Sequence, residues 1–195
     1  MSQLIQKLMN IAKDVSRGYL KIEGAVLAFN FDFRGKVVLD IGSSTGGFTE
    51  YALSHGAKKV IAVEKGSHQM KAPLRFDSRI DLHEKTDIFD YKLNSDIDVV
   101  VADISFLSIK KVLHYLKNIP NRHTEFLIMF KPQFEARPDQ LWKGIVKNEK
   151  IRREIIKDFE QWLKNNGFFI IKKRDNDLKG KNGNLERFYY LTLAK

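Results

Sequence analysis

The stretch Val37-Val38-Leu39-Asp40-Ile41-Gly42-Ser43-Ser44-Thr45-Gly46-Gly47-Phe48 constrains the fold more than any other. A short apolar run, rich in β-branched residues, reaches an acid at Asp40. A loop of small residues follows, and residues 48–53 read as helix. Strand, glycine loop and helix in this order open a nucleotide-binding α/β fold. Glycine lets the backbone turn sharply and lie close to a ligand, where a Cβ would collide. A dinucleotide fingerprint would read Gly-x-Gly-x-x-Gly. Here the order is Asp40-x-Gly42, then Gly46-Gly47. The Asp40 carboxylate is a poor neighbour for pyrophosphate and a good one for a cation or an amine. S-adenosylmethionine carries a sulfonium and an α-amino group and no phosphate. A second acid, Glu64, closes the run Val60-Ile61-Ala62-Val63, 24 residues after Asp40. That is near the spacing at which an acid meets ribose hydroxyls. A simple βα turn requires neither two glycines nor two strand-tip acids.

From there strands and helices alternate, as in a parallel sheet with helices on both faces. Strands are expected at 36–41, 59–64, 79–83, 97–102 and 124–130, with helices near 47–55, 67–75 and 107–118. Upstream, residues 1–14 read as a short amphipathic helix with Leu4, Ile5, Leu8 and Ile11 on one side, and 19–29 as another helix. Downstream, Ile151, Ile155, Ile156, Phe159, Trp162 and Leu163 share one face of a helix over 151–166. Trp162 there is a core residue. Strands at 168–171 and 187–193 are separated by a short polar loop and can pair antiparallel. The sum is a seven-stranded sheet with one antiparallel strand.

Composition narrows the function. No apolar run approaches the ~20 residues of a membrane span, and the first residues lack the apolar core of a signal peptide. The chain has no cysteine, which removes disulfides, thiolate nucleophiles and cysteine-ligated metals. A cytoplasmic location is the simplest expectation. The net charge of +10 favours a polyanionic partner such as nucleic acid. Read alone, it fits a general lysine excess equally well.

Ligands of open α/β sheets bind beyond the carboxyl ends of the strands. Four expected strands end in candidates: Asp40, Glu64, Asp103 and Lys131. A lysine beside an apolar strand can act as a base once desolvation favours the neutral amine. Read alone, Lys131 equally fits a lysine that extends its amine to water. Lys131-Pro132 opens a long polar connector to about Lys147, suited to a lid or a substrate contact.

The stretches Ser16-Arg17-Gly18-Tyr19-Leu20-Lys21, Leu39 to Thr49, Val101-Ala102-Asp103-Ile104-Ser105-Phe106, Lys131-Pro132-Gln133-Phe134-Glu135 and Gly183-Asn184-Leu185-Glu186 occur in this order. Together they resemble the TlyA (haemolysin A) family, whose catalytic domain is of the FtsJ-like ribose 2′-O-methyltransferase type. The resemblance covers nearly the whole chain. It implies a Rossmann-like class I methyltransferase, with S-adenosylmethionine as cofactor, ribosomal RNA or ribosomal subunits as substrate, and no metal, membrane or DNA. It places a catalytic tetrad on Lys21, Asp103, Lys131 and Glu186. Lys131 would take the proton of a ribose hydroxyl, Asp103 would position its amine and also contact the cofactor near its cationic methyl donor, and Lys21 and Glu186 would hold the hydroxyl and the network. Without the resemblance, Lys21 and Glu186 would read as a surface ion pair. Asp40, Gly42, Ser43, Ser44, Thr45, Gly46 and Phe48 would form the cofactor loop. Glu64 would meet the ribose, and Asp87 would accept from the adenine amine, where the family commonly has asparagine.

Family members usually carry an N-terminal S4-type RNA-binding domain. Only about fifteen residues precede the Ser16-Arg17-Gly18 motif, so residues 1–15 are expected as a helix or linker remnant and 16–195 as one domain. Lys172, Lys173, Arg174, Lys179, Lys181 and Arg187 lie close in sequence to Glu186 and are expected to contact RNA phosphates. Rival readings are a base methyltransferase, a non-catalytic RNA-binding or ribosome assembly factor, and a membrane-lysing protein. The first usually needs Asn/Asp-Pro-Pro-aromatic after the fourth strand, where this chain has Asp103-Ile104-Ser105-Phe106.

Overall fold

The computed structural model describes residues 16–93, 96–119, 121–180 and 182–194; the helix expected over 1–14 lies outside them. Helix α1 (Arg17–Phe29) comes first. The Ser16 hydroxyl caps it by accepting from Tyr19 N at 3.2 Å, and Asn30 ends it in the left-handed region at φ 52°. A serine cap satisfies a donor that the first helical turn leaves open.

The chain continues as β1 (Val37–Ile41), α2 (Gly47–Ser54), β2 (Lys59–Glu64), β3 (Ile80–Glu84), β4 (Val99–Ala102), α3 (Ile109–Leu116), β5 (Glu125–Phe130), α4 (Glu149–Asn165), β6 (Phe168–Asp175) and β7 (Arg187–Leu193). The seven strands form one sheet in the order β3-β2-β1-β4-β5-β7-β6. Only β7 is antiparallel to its neighbours, β5 and β6. β1 pairs with β2 on one side and β4 on the other. The strand order therefore reverses at β1, and a crevice opens beyond its carboxyl end.

Successive strand residues point to opposite faces, so two cores form. On one face Leu39, Ile61, Val100 and Ile128 pack under α3 and α4; on the other Val38, Val60, Val101 and Leu127 pack under α1 and α2. Val99, Val100 and Val101 are fully buried. A central strand covered on both faces reads as an unbroken apolar run, and each such valine contributes about 1.5–3 kcal/mol by burial. Trp162 packs on the core beside Phe159 and Phe168, as expected.

The expected helix at 67–75 is absent. That segment is irregular and ends in a 3₁₀ turn, Leu74–Phe76. Pro73 offers no N–H and disfavours helix in the residue before it, and His68 sits at φ 55°. Strand β6 runs on to Asp175, past the expected end at 171, because a bulge between Ile170 and Lys172 keeps it in step with β7. Helix α4 begins earlier than expected, where the Asn148 side chain accepts from Lys150 N and Ile151 N. No helix among the described residues is long and apolar enough to cross a membrane.

Candidate active site

The four residues of the expected tetrad meet at one point. Asp103 leaves the end of β4 and Lys131 the end of β5. Glu186 immediately precedes β7, whose antiparallel course pairs Arg187 with Phe130. Helix α1 brings Lys21 across from the other core. Lys131 Nζ lies 2.6 Å from Asp103 Oδ1 and donates to Ser105 Oγ at 2.8 Å. Lys21 Nζ donates to Glu186 Oε2 at 2.8 Å and lies 3.6 Å from Asp103 Oδ2. Gln133 Nε2 donates to Glu186 Oε1 at 3.2 Å. The result is a continuous file of two lysine amines and two carboxyl groups.

Burial excludes the two solvent-exposed readings given above. Lys21, Lys131 and Glu186 are 7%, 8% and 3% exposed. Lys131 therefore does not reach out to water, and Lys21–Glu186 is not a surface pair. Charges this deep are tolerated only when well paired. Gly180 makes room for the set: a Cβ there would sit 2.7 Å from Glu186 Oε1.

The glycine loop lies alongside. Asp40 is 1% exposed; its Oδ2 accepts from Thr49 Oγ1 at 2.6 Å, while Oδ1 has no protein donor. Burial pushes the Asp40 carboxyl up to about 7, opposed by the Thr49 hydroxyl and aided by the Asp103 and Glu64 charges. The buried Ser43 Oγ is also without a partner. Gly42, at φ 76°, lets the loop pass the Asp103 carbonyl, which a Cβ would approach to 3.2 Å. Glu64 ties loop to strand, accepting from Ser44 N at 2.9 Å and Gly66 N at 2.6 Å.

Two lobes of one cleft share Gly42, Ser44, Asp103 and Ser105 as walls. The larger, about 670 Å³, is lined by Glu64, Thr86, Asp87, Ile88, Phe89 and Leu107 among others. The smaller, about 270 Å³, is lined by Arg17, Lys21, Asp40, Ser43, Thr45, Phe48 and Lys131 among others. Lys21, Asp103 and Lys131 thus line the small lobe, Asp103 also reaches the large one, and Glu186 lines neither. Asp87 caps the turn after β3 through Phe89 N and pairs with Lys65 Nζ at 3.0 Å, which holds its carboxyl below the usual range.

The family model for FtsJ-like methyltransferases matches residues 15–193. The chain belongs to that family. Its catalytic fold is the Rossmann-like class I methyltransferase fold. The 23S rRNA (cytidine-2′-O)-methyltransferase TlyA of Campylobacter jejuni is 35% identical over 180 residues, 90% of this chain and 70% of the relative. Hemolysin A of Brachyspira hyodysenteriae is 37% identical over 188 residues, 93% of this chain and 78% of the relative. A crystal structure described as "a putative hemolysin" from Lactococcus lactis superposes with a TM-score of 0.86 at 34% identity, covering 91% of this chain and 88% of the other.

Within this FtsJ-like methyltransferase the motif residues divide by task. Gly46 lines neither lobe. It caps α2 at φ 94°, and a Cβ there would strike Leu74 at 2.3 Å, so the glycine serves internal packing. Gly47 does line the small lobe. A Cβ there would meet Tyr19 N at 2.7 Å and Gly18 Cα at 2.9 Å, so it lets the starts of α1 and α2 touch. Glu135 stands outside the cleft and caps α3, accepting from Ser108 Oγ and Ile109 N at 2.8 Å each.

Sequence reasoning missed Arg17, Gly47, Ser105, Gln133, Ile88 and Phe89 as site residues. The first four lie inside the motif stretches, which is the signal that marks them. Ile88 and Phe89 follow β3 with no pattern of their own. The expected RNA-binding cluster is largely occupied elsewhere. Lys172 Nζ donates to Phe29 O, Lys173 pairs with Glu160, Arg174 with Asp177 and Gly24 O, and Arg187 with Asp175. Lys179 is exposed, and Lys181 lies outside the described residues. Periodicity does not show that β6, longer than expected, carries these cations past acids of α4 and of its own end.

Proposed function

We propose that the chain methylates a ribose 2′-hydroxyl of ribosomal RNA, at a cytidine, with S-adenosylmethionine as donor. The observation that carries this reading is the file Lys131–Asp103–Lys21–Glu186, with both lysines and Glu186 buried and Asp103 at the junction of the two lobes. A scaffold that only binds RNA gains little from three buried charged side chains gathered on a partly buried carboxylate, since buried ion pairs are weak contributors to stability.

The residues present fit the cofactor. Asp40 Oδ1 and Ser43 Oγ, buried and without partners, suit an amino-acid end that carries an ammonium group. Glu64, on the wall of the large lobe, would serve as the acceptor for a ribose diol, and Ile88, Phe89 and Asp87 offer apolar walls and an acceptor for adenine. When bound, S-adenosylmethionine supplies an electrophilic methyl group. A ribose hydroxyl is a weak acid and must lose its proton as the oxygen–carbon bond forms. Lys131 Nζ, as the neutral amine, accepts that proton. Asp103 and Ser105 fix the direction of the amine, and Asp103 stabilises the ammonium that results. Glu186, itself held by Gln133, holds Lys21, whose ammonium helps fix the hydroxyl, and such orientation supplies much of the rate. At the rim Phe106 is 92% exposed, sits at φ 63° and packs on Phe134 with ring centroids 5.3 Å apart. An aromatic held outward beside a reaction site suits stacking on an unpaired base. The reading places the chain with ribosomes, in the cytoplasm.

The test is transfer of labelled methyl groups to bacterial ribosomal subunits that lack the modification, followed by digestion to nucleosides. Label in 2′-O-methylcytidine is expected. Label on a base, or none while cofactor binds, refutes the assignment.

Asp40 gives this reading a pH dependence. In the free protein its carboxyl is raised to about 7, so the group by itself favours the fold below the usual carboxylate pKa and loses that contribution as pH rises through 7. A cation bound beside it favours the carboxylate, and binding near pH 6.5 must expel a proton. Cofactor affinity is expected to fall by up to about tenfold per pH unit below 7 and to level off above 8. Calorimetry in two buffers of different ionisation enthalpy reads the released proton directly. Asp40→Asn should abolish both effects; an unchanged proton count in that variant assigns the titration to another group.

A further inference from the structure

The connector from Lys131 to α4 ends in a structure that the reaction does not use. Trp142 N donates to Ile145 O at 2.9 Å and Ile145 N to Trp142 O at 3.0 Å, closing a two-residue hairpin. Its turn residues, Lys143 and Gly144, have φ of 49° and 78°, the twist such short hairpins require. Lysine is an unusual occupant of that region. Trp142 is 53% exposed. Lys147 Nζ lies 3.2 Å and Lys143 Nζ 4.9 Å from its ring centroid.

The hairpin is fastened to the active site. Asn184, 4% exposed, donates from Nδ2 to Gly144 O and accepts from Val146 N at Oδ1, each at 3.0 Å. The Asn184 carbonyl accepts from Gly180 N at 2.8 Å, and Glu186 follows two residues later, its own carbonyl accepting from Asn176 N at 2.9 Å. An outward indole and two ammonium groups are thus held at a fixed place relative to Glu186. A π-face and positive charge at one point match single-stranded RNA, whose bases stack on aromatic rings while its phosphates take cations. The overall charge of +10 favours the same partner.

The geometry points to the 142–147 segment as a second RNA contact, in which a base flanking the modified nucleotide takes the place of the Lys147 amine on the Trp142 ring, and Lys143 and the displaced Lys147 neutralise adjacent phosphates. This rests on RNA being the substrate. It places sequence-tolerant grip on the connector side of the cleft, away from the internally paired cations of β6.

The test uses the full chain and an unmodified ribosomal RNA transcript. Trp142→Ala is expected to lower affinity for the transcript about 5- to 150-fold, raising KM and sparing kcat at saturating RNA. Trp142→Phe should restore most of the affinity. Lys143→Ala with Lys147→Ala should flatten the slope of log affinity against log salt by about 1.4–1.8. Cofactor affinity and melting temperature should stay at wild-type values in all three. Wild-type RNA affinity and salt slope in the variants, with methyl transfer intact, overturn the inference and leave the proposed function standing. Weaker binding to intact subunits with unchanged binding to the transcript also overturns it, in favour of a ribosomal protein contact. A wild-type chain that neither binds nor methylates RNA removes both proposals.

Discussion

Lys131→Ala is expected to slow methyl transfer to RNA by about 10²- to 10⁴-fold, the usual worth of a positioned general base, with cofactor affinity retained. The amine touches Asp103 and Ser105 at the meeting of the two lobes. The second arm of the experiment is Lys131→Arg. A guanidinium keeps the positive charge and can pair with Asp103, but it does not give up a proton in a protein. If Lys131 acts only as a cation, arginine should preserve much of the rate; if it accepts the proton, arginine should be as slow as alanine. Single-turnover transfer at saturating RNA separates these cases. Near-wild-type turnover in Lys131→Arg would eliminate the base assignment.

Glu186→Ala is expected to destabilise the fold as well as the reaction. It strips Lys21, 7% exposed, of its 2.8 Å partner and leaves Asp103 at 3.6 Å as the remaining acid. Removing one member of a buried pair typically costs about 3–5 kcal/mol, because the other charge stays buried. In a domain of this size that corresponds to a fall in Tm of roughly 6–20 °C. Replacing both members, Lys21→Met with Glu186→Leu, is expected to recover much of the stability and none of the activity. Thermal melts of Lys21→Met, Glu186→Leu and the double variant measure the coupling between them. Additive losses would show that Glu186 is not what holds Lys21 in place.

What could be read from the chain alone follows the range of the interactions. The β1–loop–α2 unit is local, and its acids, glycines and apolar run appear in the structure where the pattern puts them. The strands are short apolar runs, and six of the seven were readable nearly to their ends. The segment at 67–75 misled because its helix-like spacing says nothing of where Pro73 and the left-handed His68 break it. The tetrad is different in kind. Lys21 and Glu186 are 165 residues apart, and nothing in their own neighbourhoods marks them as partners. They were found by resemblance to a family, not by pattern. The same holds for the cations of β6. Their sequence run suggests a basic face, but whether each meets Glu160, Asp175 or Asp177 depends on how β6, β7 and α4 come together.

The pairing of Phe130 with Arg187 also has a meaning in time. Synthesis at about 5–20 residues per second leaves roughly 8–33 s between the appearance of Lys21 and that of Glu186. Over that interval the glycine loop, Asp103 and then Lys131 emerge in turn, and until its end the nascent chain lacks the acid that receives Lys21. Entry of β7 between β5 and β6 supplies that acid and an interior neighbour for both strands in one event. Completion of the sheet and closure of the Lys21–Glu186 pair therefore both wait for the last strand to be made.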